Sequence, residues 1–477
     1  MGVPFTPGAE TRDTARDTRK SELPGALFWV KTPSGMDVLG PLLPRIETPP
    51  PGSRSESWVE RLSQAECPAL TARRARRQER SGAPEDPIVW TRARGANVED
   101  ADGNIYVDLS AGFGATSVGH AHPRVVQAIH AQSERLMHAL GDLQPADVKI
   151  ELLSRLTALY PEPARVMLGL SGSDAVEAAL KTALLFTGRP GVLAFEGAYH
   201  GLSHGPLAAC GFSPSFREPF RAQLNPHVVF APYPEHTQAL AAALSAVRAA
   251  LASGSIGAVL VEPILGRGGV CVPPDAFLPE LHALCRAHGA LLIADEIMTG
   301  IGRTGVLFAY QHTQVRPDLV CIGKGLGGGM PVSACLGREQ VMAAWGDDSS
   351  GAALHTGTFF GHPVSAAAAL ATLDVLHDEQ LCDRARSSGA LLLEQLAPLT
   401  QQSGVRAVRG RGLLVGIELE APGHALRCMR ALLARGYITV PAAADARVIS
   451  LTPPLNIGAD QLLGFVAALR ESLKVSA

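Results

Sequence analysis

From about Asn104 onward the chain is a succession of short apolar runs separated by stretches of helix length. "VMLGL", "VLAFE", "AVLVE", "ALLIADEI" and "DLVCIG" are continuously apolar where a half-exposed strand would alternate, as strands buried on both faces require. Between several of them lie amphipathic segments such as "DAFLPELHALCRAHG", whose apolar positions follow helical spacing. The middle of the chain therefore predicts βαβ units building a mostly parallel sheet sandwiched by helices. After His362-Pro363 an alanine-rich helix, "VSAAAALATLDVLHDEQL", opens a different region that ends in strands "LLVGIELE" and "RVISLTP", the pattern of a smaller α+β domain. The expected fold class is α/β with this second, smaller domain. No repeat with a period of roughly 20 to 50 residues is present.

Composition bounds the picture. With 477 residues the chain is long enough for more than one domain, and 46% hydrophobic content with net charge −3 is that of an ordinary globular protein. Nothing global favours nucleic acid or acidic lipid. The five arginines in and around "ARRARRQER" (72–80) read as a solvated helix face or subunit contact, with a nucleic-acid patch as the alternative. The first 55 or so residues, rich in Pro, Ser, Thr and charge, read as a flexible or strapped extension. Eight cysteines stand singly, with neither disulfide nor zinc spacing, which suits reduced thiols in a cytosol and no metal. No apolar run reaches the ~18 residues of a membrane span, and the N-terminus lacks the pattern of a signal peptide. "MGVPFT" matches the loose myristoylation pattern, which by itself anchors little.

Candidate chemistry sits where strands end. "PDLVCIGKGLGGGM" (317–330) places Lys324 just past an apolar strand, at the edge where open α/β sheets bind ligands. A surface lysine in a glycine turn is one reading. A phosphate-cradling P-loop is excluded, because its glycines must precede the lysine and a Ser or Thr follow it. The third is a lysine that forms a Schiff base with a carbonyl cofactor. "ALLIADEIMTGIGRTG" puts Asp295 at another strand end, where a buried carboxylate needs a cation: a protonated pyridine nitrogen, or more plainly a helix cap or Arg303. "GLSGSDAVEAALKTALLFTG" runs strand, small-residue turn, helix. Its Ser171, Gly172 and Ser173 are a site for a phosphate dianion, or a plain serine N-cap with Asp174 in the first turn. Tyr199 in "FEGAYHG" is either a ring stacker or core rim.

Taken together, "SGSDAVEAALK", "YHG", "VEP", "DEIMTGIGRTG", "GKGLGGGMP", "TGTFFGHP" and "RGRGLLVGIEL" resemble, in order, the class III aminotransferases, pyridoxal-phosphate enzymes of fold type I. The resemblance spans residues 88–473 or so. It implies that Lys324 forms the Schiff base with pyridoxal 5'-phosphate and moves the proton, and that Asp295 partners the pyridine nitrogen. It further implies cofactor contacts from Gly172, Ser173, Tyr199, His200 and Ile297, and from Thr358 reaching the phosphate of the neighbouring subunit in a homodimer with shared sites. Arg409 resembles the arginine that binds a substrate α-carboxylate, and Glu262 the glutamate that pairs with it when a different substrate end enters. The reaction implied is ping-pong transfer of an amino group from an amino acid or ω-amine to a 2-oxo acid, in the cytoplasm. The domains expected are an extension over 1–55, the N-terminal part of a small domain over 56–115, a large cofactor-binding domain over 116–365 and the rest of the small domain over 366–477.

The sequence also departs from the family pattern. Leu202 stands where ornithine, acetylornithine and 4-aminobutyrate members have an arginine after "YHG", Met298 where they tend to have Gln, and Gly361-His362-Pro363 where many have "GNP". These changes lean toward the ω-aminotransferase branch, with a less polar distal pocket partly shaped by Phe113. Arg217, Arg221 and Arg267 are substitute cations that keep a 4-aminobutyrate-like substrate open. "DEIMTG" and "FTGRPGVLAFEGAYHG" also resemble glutamate-1-semialdehyde aminomutase, the second reading; a catalytically silent cofactor-binding protein is the third.

Overall fold

The computed structural model describes residues 39–69, 76, 87–346, 351–401 and 404–476. Most of the arginine-rich stretch 72–80, and the expected extension up to residue 38, lie outside the described residues. Strands β1 (Trp90–Arg94), β2 (Asn97–Asp100) and β3 (Ile105–Asp108) form an antiparallel meander. Residues before it are strapped down. Arg45 and Ile105 exchange backbone hydrogen bonds of 2.9 and 2.8 Å. The Asn97 side chain accepts from the amides of Gly40 and Leu42, and Asn104 from those of Glu47 and Thr48. Buried Asn97 and Asn104 thus give this irregular backbone the partners it cannot find in a ladder.

The large sheet contains β4 (Ala164–Gly169), β5 (Gly191–Phe195), β6 (Val228–Ala231), β7 (Ile256–Val261), β8 (Leu291–Asp295), β9 (Leu319–Ile322) and β10 (Ser333–Arg338), in the order β4-β10-β9-β8-β7-β5-β6. Pairing is parallel from β6 through β9, whereas β10 runs antiparallel to both β9 and β4. Because β10 is reversed between them, β4 and β9 still point the same way. Six strands, β4 to β9, therefore deliver their carboxyl ends to one edge. β6 and β10 fall outside the runs read as strands from the sequence: "VVFA" is brief, and "SACLGR" mixes polar and apolar residues without a period.

Both faces of this sheet are covered, which is why its strands are continuously apolar. Leu193, Phe195, Val259, Val261 and Leu292 pack with Leu244, Val247, Phe277 and Leu281 of helices α2 (Thr237–Leu251) and α3 (Phe277–His288). The alternate residues Ala194, Ala258, Leu260, Ile293, Leu319 and Cys321 meet α1 (Gly172–Thr187), whose Ala175, Ala178, Ala179 and Ala183 are small enough to bring the helix down onto the sheet. α3 ends at Gly289, whose φ of 63° is the left-handed cap that stops a helix before the next strand.

Pro363 starts α4 (Pro363–Asp378) in the first-turn position that needs no N–H, and the Nδ1 of His362 accepts the amide of Ser365 at 3.4 Å. The 365/366 boundary expected from the sequence falls inside α4. The helix packs on helices Pro123–Arg135 and Asp147–Thr157 and on the Lys324–Gly327 turn, so its alanines are buried against several partners rather than one. β11 (Val405–Arg411), β12 (Leu414–Leu419), β14 (Val440–Ala442) and β15 (Val448–Leu451) form a third sheet, in the order β11-β12-β15-β14, and β13 (Tyr437–Ile438) joins β3 in parallel. That last pairing ties the N-terminal meander to the C-terminal region.

Candidate active site

The carboxyl edge of the large sheet gathers the charged residues singled out above. Asp295 is the last residue of β8 and sits opposite Cys321 of β9; Lys324 follows two residues after β9 ends. Glu262 is the first residue past β7, and Tyr199 and His200 lie just past β5. Asp295, His200 and Glu262 are buried, at 2%, 2% and 3% exposure. Carboxylates at such depth require partners. Asp295 finds them in the Nδ1 of His200, 2.6 Å from its Oδ2, and in the amide of Ile297, 3.1 Å from its Oδ1. Arg303 does not serve it: that guanidinium donates to the carbonyls of Leu413 and Pro453.

Glu262 accepts the amides of Tyr199 at 2.8 Å and Gly266 at 2.9 Å, which pins the loop after β5 to the loop after β7. Burial raises its carboxyl above the usual range; the His200 charge and the two amides oppose that rise, and Asp295 reinforces it. Lys324 keeps partial access to solvent, yet the packed protein around it pulls its amine below the usual lysine range. Asp295 and Glu262 oppose this fall and Arg267 adds to it. A depressed amine pKa leaves more of the neutral nucleophile. Lys324 also holds φ at +39°, a left-handed conformation that a side chain rarely adopts and that clusters at functional sites.

Around these groups the backbone is drawn in close. A Cβ on Gly172 would stand 2.8 Å from Cδ1 of Ile297, and one on Gly201 would stand 2.0 Å from Oγ of Ser173. The N-terminus of α1 has its capping box: Ser171 Oγ accepts the Asp174 amide at 3.3 Å, and the Asp174 carboxylate accepts the amides of Ser171 and Leu170. The serine-cap reading is therefore realised. It leaves the first-turn amides of Gly172 and Ser173 without helical acceptors, so the anion reading is not displaced by it. Residues 111–114 make one left-handed turn, with φ of 45°, 57°, 61° and 83°. It carries Phe113 outward at 66% exposure and brings Gly114 to the stem of Lys324 and the sulfur of Met298, each under 4 Å from a Cβ built there.

Two of the sequence-derived residues lie elsewhere. Arg409, on β11, donates to the carbonyls of Gly269 and Val270 and pairs with Glu418 on β12, while Glu262 is held by backbone amides. β11 and β12 are adjacent antiparallel strands, and Glu418 faces Ala407, two residues along β11 from Arg409 and so on the same face, where the guanidinium reaches it. Thr358 is exposed beside His138, Lys149 and Gly361, with no residue of the Lys324 cluster around it. The sequence reading missed the setting of Arg267, whose guanidinium carbon lies 4.5, 4.9 and 5.6 Å from the ring centres of Tyr199, Phe212 and Phe216. No periodicity in the loop around Phe212 announces that shelf.

The arrangement suits a phosphorylated pyridine aldehyde. A buried carboxylate for a ring nitrogen, a depressed lysine amine, free helix-terminal amides and a glycine cradle meet at one edge, and the Nε2 of buried His200 has no hydrogen-bond partner among the described residues. Comparisons with known proteins agree. Residues 80–473 match the family model described as aminotransferase class-III. An acetylornithine aminotransferase of Methanopyrus kandleri is 39% identical over 393 residues, 82% of this chain and 95% of that protein. An alanine/serine racemase of Pyrococcus horikoshii is 33% identical over 89% of this chain and 91% of its own. An amine transaminase from an uncultivated Pseudomonas species, solved in its PLP-bound form, superposes with a TM-score of 0.78 at 31% identity, covering 82% of this chain and 95% of that one.

Fold and site thus define a pyridoxal-phosphate enzyme of fold type I. The chain belongs to the class III aminotransferases, and its reaction is transamination with pyridoxal phosphate as cofactor.

Proposed function

We propose that the chain passes the amino group of an amino acid or ω-amine to a 2-oxo acid, with Lys324 as the residue that carries the cofactor and takes the proton from the substrate Cα. The observation that carries this reading is the meeting of Lys324 with the buried His200–Asp295 pair at the ends of neighbouring strands β8 and β9. Pyridoxal phosphate, when bound, supplies an electron-poor ring that takes up the electron pair left at Cα. Asp295 holds the ring nitrogen protonated, His200 orients Asp295, and Ile297 packs beside Gly172 to close one side of the cradle. The amides of Gly172 and Ser173 hold the phosphate. Tyr199 offers the cofactor a ring face, the one opposite Arg267. Phe113 stands at the mouth.

The active form in this reading is a cytoplasmic homodimer, with Thr358 reaching the phosphate of the neighbouring subunit. Support comes from the exposed apolar residues near it, Leu140 at 60%, Leu143 at 82% and Phe359 at 52%, a patch that a second copy would cover. The free state of all eight cysteines suits a reducing compartment. The relatives' names point to donors that carry an amine away from a carboxylate, and Leu202 in place of an arginine favours the ω-amine side of that range.

Borohydride reduction of the loaded enzyme followed by peptide mapping tests the assignment. A cofactor label on Lys324, together with loss of turnover in Lys324→Ala, is the expected result. A label on any other lysine overturns it.

A further inference from the structure

The turn over residues 110–114 holds a conformation that its side chains resist. Ala111 and Phe113 have φ of 45° and 61°, left-handed values that a Cβ disfavours, and the Gly114 amide closes the turn on the Ser110 carbonyl at 2.8 Å. Strain of this kind persists where the surroundings impose it. Asp108, the last residue of β3 and fully buried, imposes it here. Its Oδ1 accepts the amide of Ser110 at 2.7 Å and the hydroxyl at 2.6 Å, and its Oδ2 accepts the amide of Gly112 at 3.2 Å. The Nε2 of His120 lies 2.8 Å from the same Oδ2; a carboxylate only accepts, so that nitrogen carries the proton. His120 is itself fixed, because its backbone exchanges hydrogen bonds with Gly95 and its ring packs edge-on against Trp90.

The same turn is a wall beside Lys324. On one side the Thr452 hydroxyl donates to the Ser110 carbonyl at 2.9 Å; on the other the Ser117 hydroxyl donates to the carbonyl of Gly325, next to Lys324, at 3.1 Å. Between these ties a Cβ built on Gly114 would stand 3.7 Å from Cδ of Lys324, and Phe113 projects at 66% exposure. We infer that Asp108 and His120 are positioning residues that set the size of donor the site accepts, by holding Phe113 and Gly114 at the rim of the Lys324 pocket. This rests on the reading of Lys324 as the reacting lysine. A turn released from Asp108 relaxes toward right-handed backbone, which swings the Phe113 ring and withdraws Gly114 from the lysine stem. A carboxylate that held only the fold would support stability and leave the choice between donors alone.

The test compares isopropylamine with phenylethylamine substituted at the same carbon, so that a methyl or a phenyl group stands beside the amine. The ratio of their kcat/KM values is measured in the holoenzyme, at equal cofactor content, for wild type, His120→Leu, His120→Gln, Phe113→Ala and the His120→Leu, Phe113→Ala double variant. His120→Leu should shift the ratio toward the larger donor by roughly 10-fold, mostly through KM, the scale on which pocket walls discriminate. His120→Gln keeps a donor for Asp108 and should shift it less. Phe113→Ala should move the ratio in the same sense, and adding His120→Leu to it should change nothing further, because both act through one ring. Amide hydrogen exchange without any donor reads the anchor itself: His120→Leu should speed exchange at Ser110 and Gly112 by about tenfold or more and leave β8 unchanged. An unchanged donor ratio, additive effects of the two substitutions, or unaltered exchange at those amides would each overturn the proposal. If borohydride leaves no label on Lys324 while the exchange result holds, the parent reading fails, and the turn loses its part in donor choice but keeps its anchor.

Discussion

The Nδ1 of His200 lies 2.6 Å from Oδ2 of Asp295, and both side chains are buried at 2% exposure. A histidine donating to a carboxylate fixes the direction of the acid and leaves a lone pair on each of its oxygens for a further cation. Asp295→Asn removes the charge that would keep a ring nitrogen protonated, and transamination should fall by roughly 100-fold or more. His200→Phe removes only the orienting bond, and the fall should be nearer 10-fold. Single-turnover rates with the cofactor content held equal check both. An Asp295→Asn variant at wild-type rate would remove the assigned role.

Gly201 holds φ at +115°, and a Cβ there would stand 2.0 Å from Oγ of Ser173. Gly201→Ala therefore combines backbone strain with displacement of a proposed phosphate contact. Expected is a lower melting temperature and a weaker cofactor dissociation constant by equilibrium dialysis. Gly103→Ala, also at positive φ but with nothing within 4 Å, should lower stability without touching cofactor affinity.

Glu296 is fully buried, accepts the amides of Ala309 and Tyr310 and the hydroxyl of Thr299, and has its carboxyl pushed up to about 7, first by burial. The folded value lies above the unfolded one, so its contribution to stability is full below pH ~4.5 and is lost as pH rises toward ~7. Glu296→Gln should lower the melting temperature overall, because an amide cannot accept from all three donors. It should also flatten the decline between pH 5 and 7.5, a slope of at most about 1.4 kcal/mol per pH unit. Thermal melts across that range read the outcome; an unchanged slope would show that the carboxyl does not titrate there.

Thr358 is exposed and lines a surface depression with His138, Lys149 and Gly361, beside the exposed Phe359. Thr358→Ala should leave the mass by sedimentation that of a dimer and speed cofactor release severalfold. Unaltered release kinetics would take Thr358 out of the phosphate site.

The mutase-like motifs and the racemase relative make acceptor dependence informative. Transamination requires that amine turnover cease after one equivalent of cofactor is converted, until a 2-oxo acid is added. Sustained turnover without any acceptor would mark an isomerising enzyme.

The sequence read alone determined the doubly covered sheet, because strands buried on both faces must be continuously apolar and the intervening helices must be amphipathic. It also determined which lysine and which aspartate stand at strand ends, since each is the first charge after an apolar run. β6 and β10 were invisible to it: an edge strand of four residues and an antiparallel strand of mixed polarity carry no period. Pairings across the fold were decided only in three dimensions. Glu262 meets the amides of two separate loops, Arg409 meets Glu418, and Arg267 comes to rest on aromatic rings more than fifty residues earlier in the chain. Local spacing governs which side of one element a residue faces, but the partner of a charge depends on which loops the sheet order brings together, and no neighbouring residue encodes that order.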